Sequence, residues 1–451
     1  MDEYAEAAAL AASQCAAPRS DGPPAYSDEA LALRFTEQNK DRLRYVAKWG
    51  KWLIREPAVW RIDDTLEAFD LARTLCRAAA AECGSDRTAA AIASAKTVAA
   101  VERLARADRR HAADHEMWDA DPWLLNTPDG VVDLRTGKLR SHRSTDYMIK
   151  ITAVAPGGAC PLWLRILDRI TCGERGLQRY LQRVAGYCLT GSTKEHSMFF
   201  GCGSGANGKG TFINTLSATM GSYAATAMME TFSASQGERH PTDLAMLHGA
   251  RLVTAQETEE GRRWAESRIK ALTGGDPISA RFMRHDFFTF IPAFKLFLMG
   301  NHKPALSNVD EAIRRRMHLI PFQAKIAGTE RDPELAERLK YEWPGILAWA
   351  IAGCLEWQQS GLMPPSSVLT ATNDYLEDED VLQTWISERC TKVTSVFTKT
   401  QILFADWRHW AAQAGEEAGS QRRFSQALEN RGYRRRKSDG QRGFEGIRLR
   451  D

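Results

Sequence analysis

Glu195–Thr211 reads EHSMFFGCGSGANGKGT, a hydrophobic run that breaks off into a glycine-rich loop closing on a lysine. Met198 to Phe200 predict the end of a buried strand. Gly203, Gly205 and Gly208 let the backbone turn tightly with its N–H groups facing an anion, and Lys209 adds a point charge where terminal phosphates would sit. The GxxxxGK spacing makes Gly203, Ser204, Gly205, Ala206, Asn207, Gly208, Lys209, Gly210 and Thr211 the candidate nucleotide-binding residues. A helix over Thr211–Met220 would lend its N-terminal partial charge to the same place. One position departs from the pattern. Where Ser or Thr ordinarily follows the lysine to hold Mg²⁺, the chain has Gly210, with Thr211 one place later.

Downstream, a strand at Arg251–Ala255 is followed by Gln256, Glu257, Thr258 and Glu259. An acid at the carboxyl end of a strand beside a phosphate loop is placed to hold Mg²⁺ through water or to polarise an attacking water, and Glu257 is the residue for it. Arg268–Phe290, RIKALTGGDPISARFMRHDFFTF, carries a TGGDP turn and two alternating runs. Those runs predict a hairpin whose tip, Arg284 and His285, can grip a backbone phosphate or simply charge an exposed edge. Phe294–Gly300 predicts another buried strand, ending on Asn301, an amide able to bond a γ-phosphate or an attacking water. In DEAIRRRMHLIPF, Asp310–Phe322, three arginines precede an apolar strand. Arginines there can reach a neighbouring subunit's phosphates, or pair with Asp310 and Glu311.

Upstream, Pro161–Thr190 shows apolar residues at helical spacing and predicts two helices leading into the strand. Residues 1–26 have no periodic pattern and are expected to form a flexible leader. From Ser27 come a capped helix, a Trp-rich pair of short strands over WGKWLIREPAVWRID, and two alanine-rich helices, Asp64–Cys83 and Arg87–Ala113. DPWLLNTPDGVVDLRTGK, Asp121–Lys138, predicts strands separated by Asp-Gly and Thr-Gly turns. Trp49, Trp52, Trp60 and Trp123 read as core of a half-buried sheet rather than as base-stacking platforms.

Beyond the arginines, Leu335–Gln359 reads as helices, with Ile346–Leu355 a core helix. MPPSS, Met363–Ser367, breaks the pattern ahead of TNDYLEDEDVLQTWI, whose acidic run is expected to be a solvated linker and helix start. Phe397–Ala411 predicts a helix, and SQRRFSQALENRGYRRRKSDGQRGFEGIRLR a capped helix and then two strands around SDGQRG. Helices followed by a basic hairpin suit a winged helix, with Arg434, Arg435, Arg436, Lys437 and Arg442 facing duplex phosphates.

The chain is 451 residues long, with 60 Lys and Arg against 57 Asp and Glu. That length suits two or three domains, and the near balance means that a nucleic-acid partner must be met by local basic patches. Nine cysteines without CxxC pairs suit reduced thiols. The acidic start and the lack of a long apolar run point away from a membrane, toward the cytoplasm.

The order GSGANGKGTF, RLVTAQETEEG, KALTGGDPISARF, FKLFLMGN and DEAIRRRMHLIPF, across Phe199–Phe322, resembles the superfamily 3 helicases, closest to the phage, plasmid and poxvirus primase-helicases. LLNTPDGVVDLRTGKL looks like the poxvirus-type domain that precedes the ATPase in that family. The resemblance covers most of the chain after Ser27. It implies an α/β fold: an N-terminal mixed α/β domain at 27–155, an AAA+ type P-loop ATPase core at 156–330, a helical extension and linker at 331–376, and a winged-helix-like domain at 377–451. Such proteins form rings, usually hexamers, and hydrolyse ATP to move 3′ to 5′ along single-stranded DNA.

By the same resemblance Lys209 matches the Walker A lysine, Glu257 the Walker B acid, Asn301 the sensor, and Arg315 and Arg316 the finger arginines, with Arg314 an extra neighbour. Lys270–Arg281 match the B′ segment, and Arg284 and His285 the hairpin that contacts DNA in the channel. ATP and Mg²⁺ are the implied cofactors, with Thr211 and Glu257 left to manage the metal because Gly210 lacks a hydroxyl and Gln256 stands where many relatives carry a first acid. With no primase-polymerase domain visible ahead of Ser27, a separate primase is an expected partner, in a bacterial host replicating a phage, prophage or plasmid. Two other readings stay open: a P-loop small-molecule kinase, whose loop also places Gly after Lys, and an origin-binding initiator scaffold with weak hydrolysis.

Overall fold

The computed structural model describes residues 22–234, 242–256, 262–283, 286–306, 309–416, 418–438 and 440–450. The chain divides into two compact units, one of residues 1–132 and 139–151, the other of 133–138 and 152–451.

In the first unit the Ser27 hydroxyl accepts the N–H of Ala30 and starts the helix Asp28–Asn39. Strands β1 (Leu43–Val46), β2 (Lys51–Arg55) and β3 (Trp60–Ile62) form an antiparallel sheet in that order. Trp52 and Trp60 are buried in it, while Trp49 and Trp123 are half-buried. The helix Glu67–Glu82 follows. The expected helix over Arg87–Ala113 is two, Asp86–Ile92 and Ala95–Ala107, because Ser94 leaves the helical backbone and its hydroxyl caps Thr97. A second sheet pairs β4 (Leu124–Thr127), β5 (Gly130–Asp133) and β6 (Lys138–Arg140).

The second unit is built on a five-stranded parallel sheet. Helices Pro161–Ile170 and Arg175–Leu189 lead into β7 (Met198–Cys202), and the helix Lys209–Met220 carries the chain to β8 (Ala224–Thr226). Then come β9 (Leu252–Gln256), the helix Glu266–Gly274, and a hairpin of β10 (Ile278–Ala280) with β11 (Phe288–Phe290). β12 (Lys295–Gly300), a short helix Glu311–Arg314 and β13 (Met317–Pro321) complete the set. The sheet order is β13-β7-β12-β9-β8, every neighbouring pair parallel. All five residues of β7 and all six of β12 are buried, as expected of strands covered on both faces.

Two buried cations seat the amino ends of the central strands. Arg251 donates to Leu189 O at 2.7 Å, and Lys295 donates to Thr190 O, so both meet the carbonyl end of the helix Arg175–Leu189. That helix crosses the helix Trp343–Ser360 at two glycines: a Cβ on Gly186 would lie 2.0 Å from Cys354 N, and one on Gly353 2.1 Å from Gln182 O.

The acidic run expected to be a solvated linker and helix start is solvated only in part: Glu377 and Asp378 are exposed, whereas Asp380, the cap of the next helix, is buried. The residues ahead of it lie in the helix Ser366–Asp378, whose Thr372 hydroxyl accepts the N–H of Leu319 on β13 and whose Tyr375 and Leu376 are buried. The apolar residues spaced three and four apart carried that signal, and the acids masked it. After the helix Val381–Arg389 comes β14 (Cys390–Lys399), a strand that was not anticipated. The helix expected from Phe397 therefore starts at Thr400 and runs to Gln413. The helix Gln421–Asn430 and strands β15 (Arg434–Ser438) and β16 (Gln441–Leu449) follow, in an antiparallel sheet of order β14-β16-β15.

Candidate nucleotide-binding site

The glycine-rich loop leaves the carboxyl end of β7 and enters the helix Lys209–Met220. Its backbone is left-handed at Gly203, Ala206 and Gly208, with φ of 145°, 59° and 84°. A Cβ on Gly203 would sit 2.2 Å from Phe322 O, and one on Gly208 2.2 Å from Ile170 Cγ2, so the loop closes down on its neighbours at both glycines. Gly205, which the sequence reading also assigned to the turn, has nothing within 4 Å of its Cβ position and no positive φ. The third left-handed residue is Ala206.

Asn207 pins the loop from inside. It is buried, its Nδ2 donates to Phe322 O at 3.0 Å, and its Oδ1 accepts the N–H of Lys209 at 3.3 Å. Ala206 O accepts the N–H of Ile326 at 3.0 Å. Among the described residues, the N–H groups of Ser204 to Gly208 have no acceptor. Such a run of undirected donors at a helix N-terminus fits an anion.

Lys209 is 7 % exposed, and its ammonium donates to Gly203 O and, at 3.1 Å, to Asn301 Oδ1. Burial holds its pKa below the ordinary lysine value. Asn301 follows directly on β12, whose Gly300 lies in register with Cys202 of β7. Thr211 is half-buried in the first turn of the helix, and Gly210 has only Asn214 Nδ2 near its Cβ position, at 3.9 Å. The side-chain amide of Gln256, the last residue of β9, donates to Asn214 Oδ1 at 2.7 Å. Asn214 was missed by the sequence reading; its one signal was a position four residues after Gly210, on the same helix face. Glu257 lies outside the described residues, as do Arg284 and His285 at the hairpin tip. Among the described residues no group of three or more His, Cys, Asp or Glu side chains could hold a metal ion.

The three arginines part company. Arg316 is 7 % exposed, with Nε on Thr273 Oγ1 at 3.2 Å and Nη1 on Ala312 O at 2.8 Å. Arg314 pairs with Asp380 at 3.3 Å, and Arg315 is exposed with no ion pair among the described residues. They precede β13, whose first residue is in register with Met198. They therefore flank the amino end of the sheet, roughly 13 Å of strand away from the loop at its carboxyl end, and the residues brought together in this chain are the loop, Lys209 and Asn301.

In the C-terminal sheet, Arg434, Arg435, Arg436 and Lys437 lie exposed along β15, with Arg442 opposite Lys437. Arg435 pairs with Glu429 at 3.4 Å and Arg436 with Glu445.

The chain has matches among known proteins. Residues 32–172 match the family described as D5 N terminal like, and residues 202–316 a family of unknown function, DUF5906. The first is the domain of the D5 primase-helicases, and viral helicase relatives match as well. Residues 32–172 are thus similar to the N-terminal domain of the D5-type helicases. Over 258 residues the chain is 26% identical to "Putative helicase L207/L206" of Acanthamoeba polyphaga mimivirus, covering 52% of the chain and 27% of the relative. It is 22% identical over 273 residues to the helicase so described in Frog virus 3 (022R), covering 55% and 28%. The chain thus spans about a quarter of the length of these curated relatives in its matches. Among solved structures, the apo structure of the NrS-1 C terminal region (305-718) superposes with a TM-score of 0.49 at 12% identity, over 94% of this chain and all of that one. A second, the A form apo structure of that region, gives 0.48 at 10% identity, over 92% and 98%. No helix among the described residues is long and apolar enough to cross a membrane.

Proposed function

We propose that the chain is an ATP-dependent DNA helicase that acts as a ring, moves 3′ to 5′ on single-stranded DNA, and serves replication of a phage, prophage or plasmid in the cytoplasm of a bacterial host. The observation that carries the reading is the meeting of Lys209 with Asn301 at the carboxyl ends of β7 and β12. Counted in chain order, the five parallel strands lie 5-1-4-3-2, so the loop after the first strand opens where the order reverses, the place at which open α/β sheets take their ligands.

In this reading the free N–H groups of the loop cradle the phosphates, and Lys209 exchanges its two protein acceptors for phosphate oxygens. Thr211 and Glu257 hold Mg²⁺, which neutralises charge on the phosphates when bound. Asn301, released from Lys209, orients the attacking water. Arg315, exposed and at the opposite end of the sheet, serves a neighbouring protomer's nucleotide, with Arg316 as the buried strut beside it. The hairpin carrying Arg284 and His285 grips single-stranded DNA, and β15, with Arg434 to Lys437, binds duplex phosphates in a winged-helix-like module.

A second reading, an initiator scaffold that binds nucleotide and hydrolyses it weakly, is favoured by the neutral Gln256–Asn214 pair beside Gly210. Strand displacement separates the two: a helicase unwinds a tailed duplex with ATP and loses unwinding, but not basal ATPase, on His285→Ala. ATP binding without displacement would favour the scaffold.

A further inference from the structure

The arginine segment is anchored at both ends. At its start, Asp310 caps Ile313 at 2.9 Å and pairs with Lys270 at 2.5 Å. At its end, Arg314 meets Asp380, a carboxylate 6 % exposed. Asp380 also accepts Arg431, which closes the helix Gln421–Asn430 of the C-terminal module, and caps Gln383 at 3.2 Å. One buried carboxylate therefore joins the residue before Arg315 to the module that carries the basic strand β15. Next to it, Glu379 accepts the N–H of Leu306 at 2.7 Å, a second tie between the same two bodies. A surface ion pair contributes little, but removing one partner of a buried one leaves an uncompensated charge, so this contact has a defined geometry to defend.

We propose that Asp380 is a positioning residue: through Arg314 and Arg431 it lets the seated C-terminal module set where Arg315 stands. This rests on the trans role given to Arg315 above. The Arg315 side chain has no ion pair among the described residues; its backbone N–H bonds Glu311 O at 3.1 Å, and the side chains on either side of it are held, Arg316 by Thr273 and Arg314 by Asp380. An arginine displaced by about 1 Å from its productive place costs on the order of a hundredfold in rate. A lost latch therefore lowers turnover while leaving the nucleotide pocket whole.

The test uses the full chain with single-stranded DNA, comparing wild type with Asp380→Asn, which keeps size and capping ability, and with Arg431→Met, which breaks the latch from the other side. Both are expected to lose ten- to a hundredfold in kcat with KM for ATP unchanged. Mixing either with Lys209→Ala protomers, whose pockets are dead but whose arginines are intact, is expected to restore turnover above that of either variant alone. A merely structural defect would not complement in trans. Wild-type kcat in Asp380→Asn, or loss without rescue in the mixture, overturns the proposal. Arg315→Ala is the control on the premise: its loss and rescue by the same mixing show that the trans reading stands when the latch is judged, and wild-type turnover in it overturns both.

Discussion

Lys209 Nζ donates to Asn301 Oδ1 at 3.1 Å, joining residues 92 apart in the chain across the carboxyl ends of two adjacent parallel strands. The pair gives the loop a defined polar floor. The loop's left-handed backbone falls on two glycines and one alanine, and only the alanine is strained by it.

Ala206 holds a left-handed backbone that costs a non-glycine residue about 1 kcal/mol or more. Ala206→Gly is expected to leave thermal stability unchanged or raise it slightly. Gly208→Ala, with φ of 84° and Ile170 2.2 Å from the new Cβ, is expected to destabilise by about 3 kcal/mol and to weaken nucleotide binding. Urea unfolding of the two variants checks the contrast. Equal midpoints would mean that the loop is not shaped as described.

His318 lies on β13 between Tyr180 OH, 2.8 Å from Nδ1, and Ser197 Oγ, 3.2 Å from Nε2. Burial lowers its pKa to about 4, against about 6.5 for a free histidine. Between those values the unfolded chain binds the extra proton, so stability rises with pH there; it is fully present above about 6.5 and is lost as pH falls toward 4. The group should contribute up to about 3 kcal/mol of that change. Denaturant midpoints of wild type and His318→Gln between pH 7 and pH 4.5 measure it, and parallel pH profiles would contradict the assignment.

Arg434 and Lys437 on β15 are exposed and have no ion pair among the described residues. If they face duplex phosphates, Arg434→Gln and Lys437→Gln should each reduce the slope of log affinity against log salt by about 1. Duplex binding measured over a range of salt concentrations decides it, and unchanged slopes would remove β15 from the DNA-binding face.

Much of this architecture was legible in the residues. Met198–Phe200 and Phe294–Gly300 were legible as buried strands because, Lys295 apart, their runs are apolar without polar alternation, as strands covered on both faces require. The loop was legible because glycine and lysine at that spacing have few other uses. Burial of Trp52 and Trp60 followed from their place in a small half-buried sheet. Long-range partners were not visible. Asp380 looked like one acid in a solvated run, since its two arginines lie 66 and 51 residues away. Asn214 meets Gln256 across 42 residues. β14 was missed because CTKVTSVFTK lacks strong apolar alternation and earns its place only by pairing with β16.

The central claim is that this loop grips a nucleoside triphosphate and that DNA drives its hydrolysis. Phosphate release by the purified chain, with and without single-stranded DNA, tests it most directly beside Lys209→Ala. The account predicts ATP hydrolysis that DNA stimulates and that the Lys209→Ala variant lacks altogether. Hydrolysis at background in the wild-type chain, or a Lys209→Ala variant that turns over as fast, would contradict it.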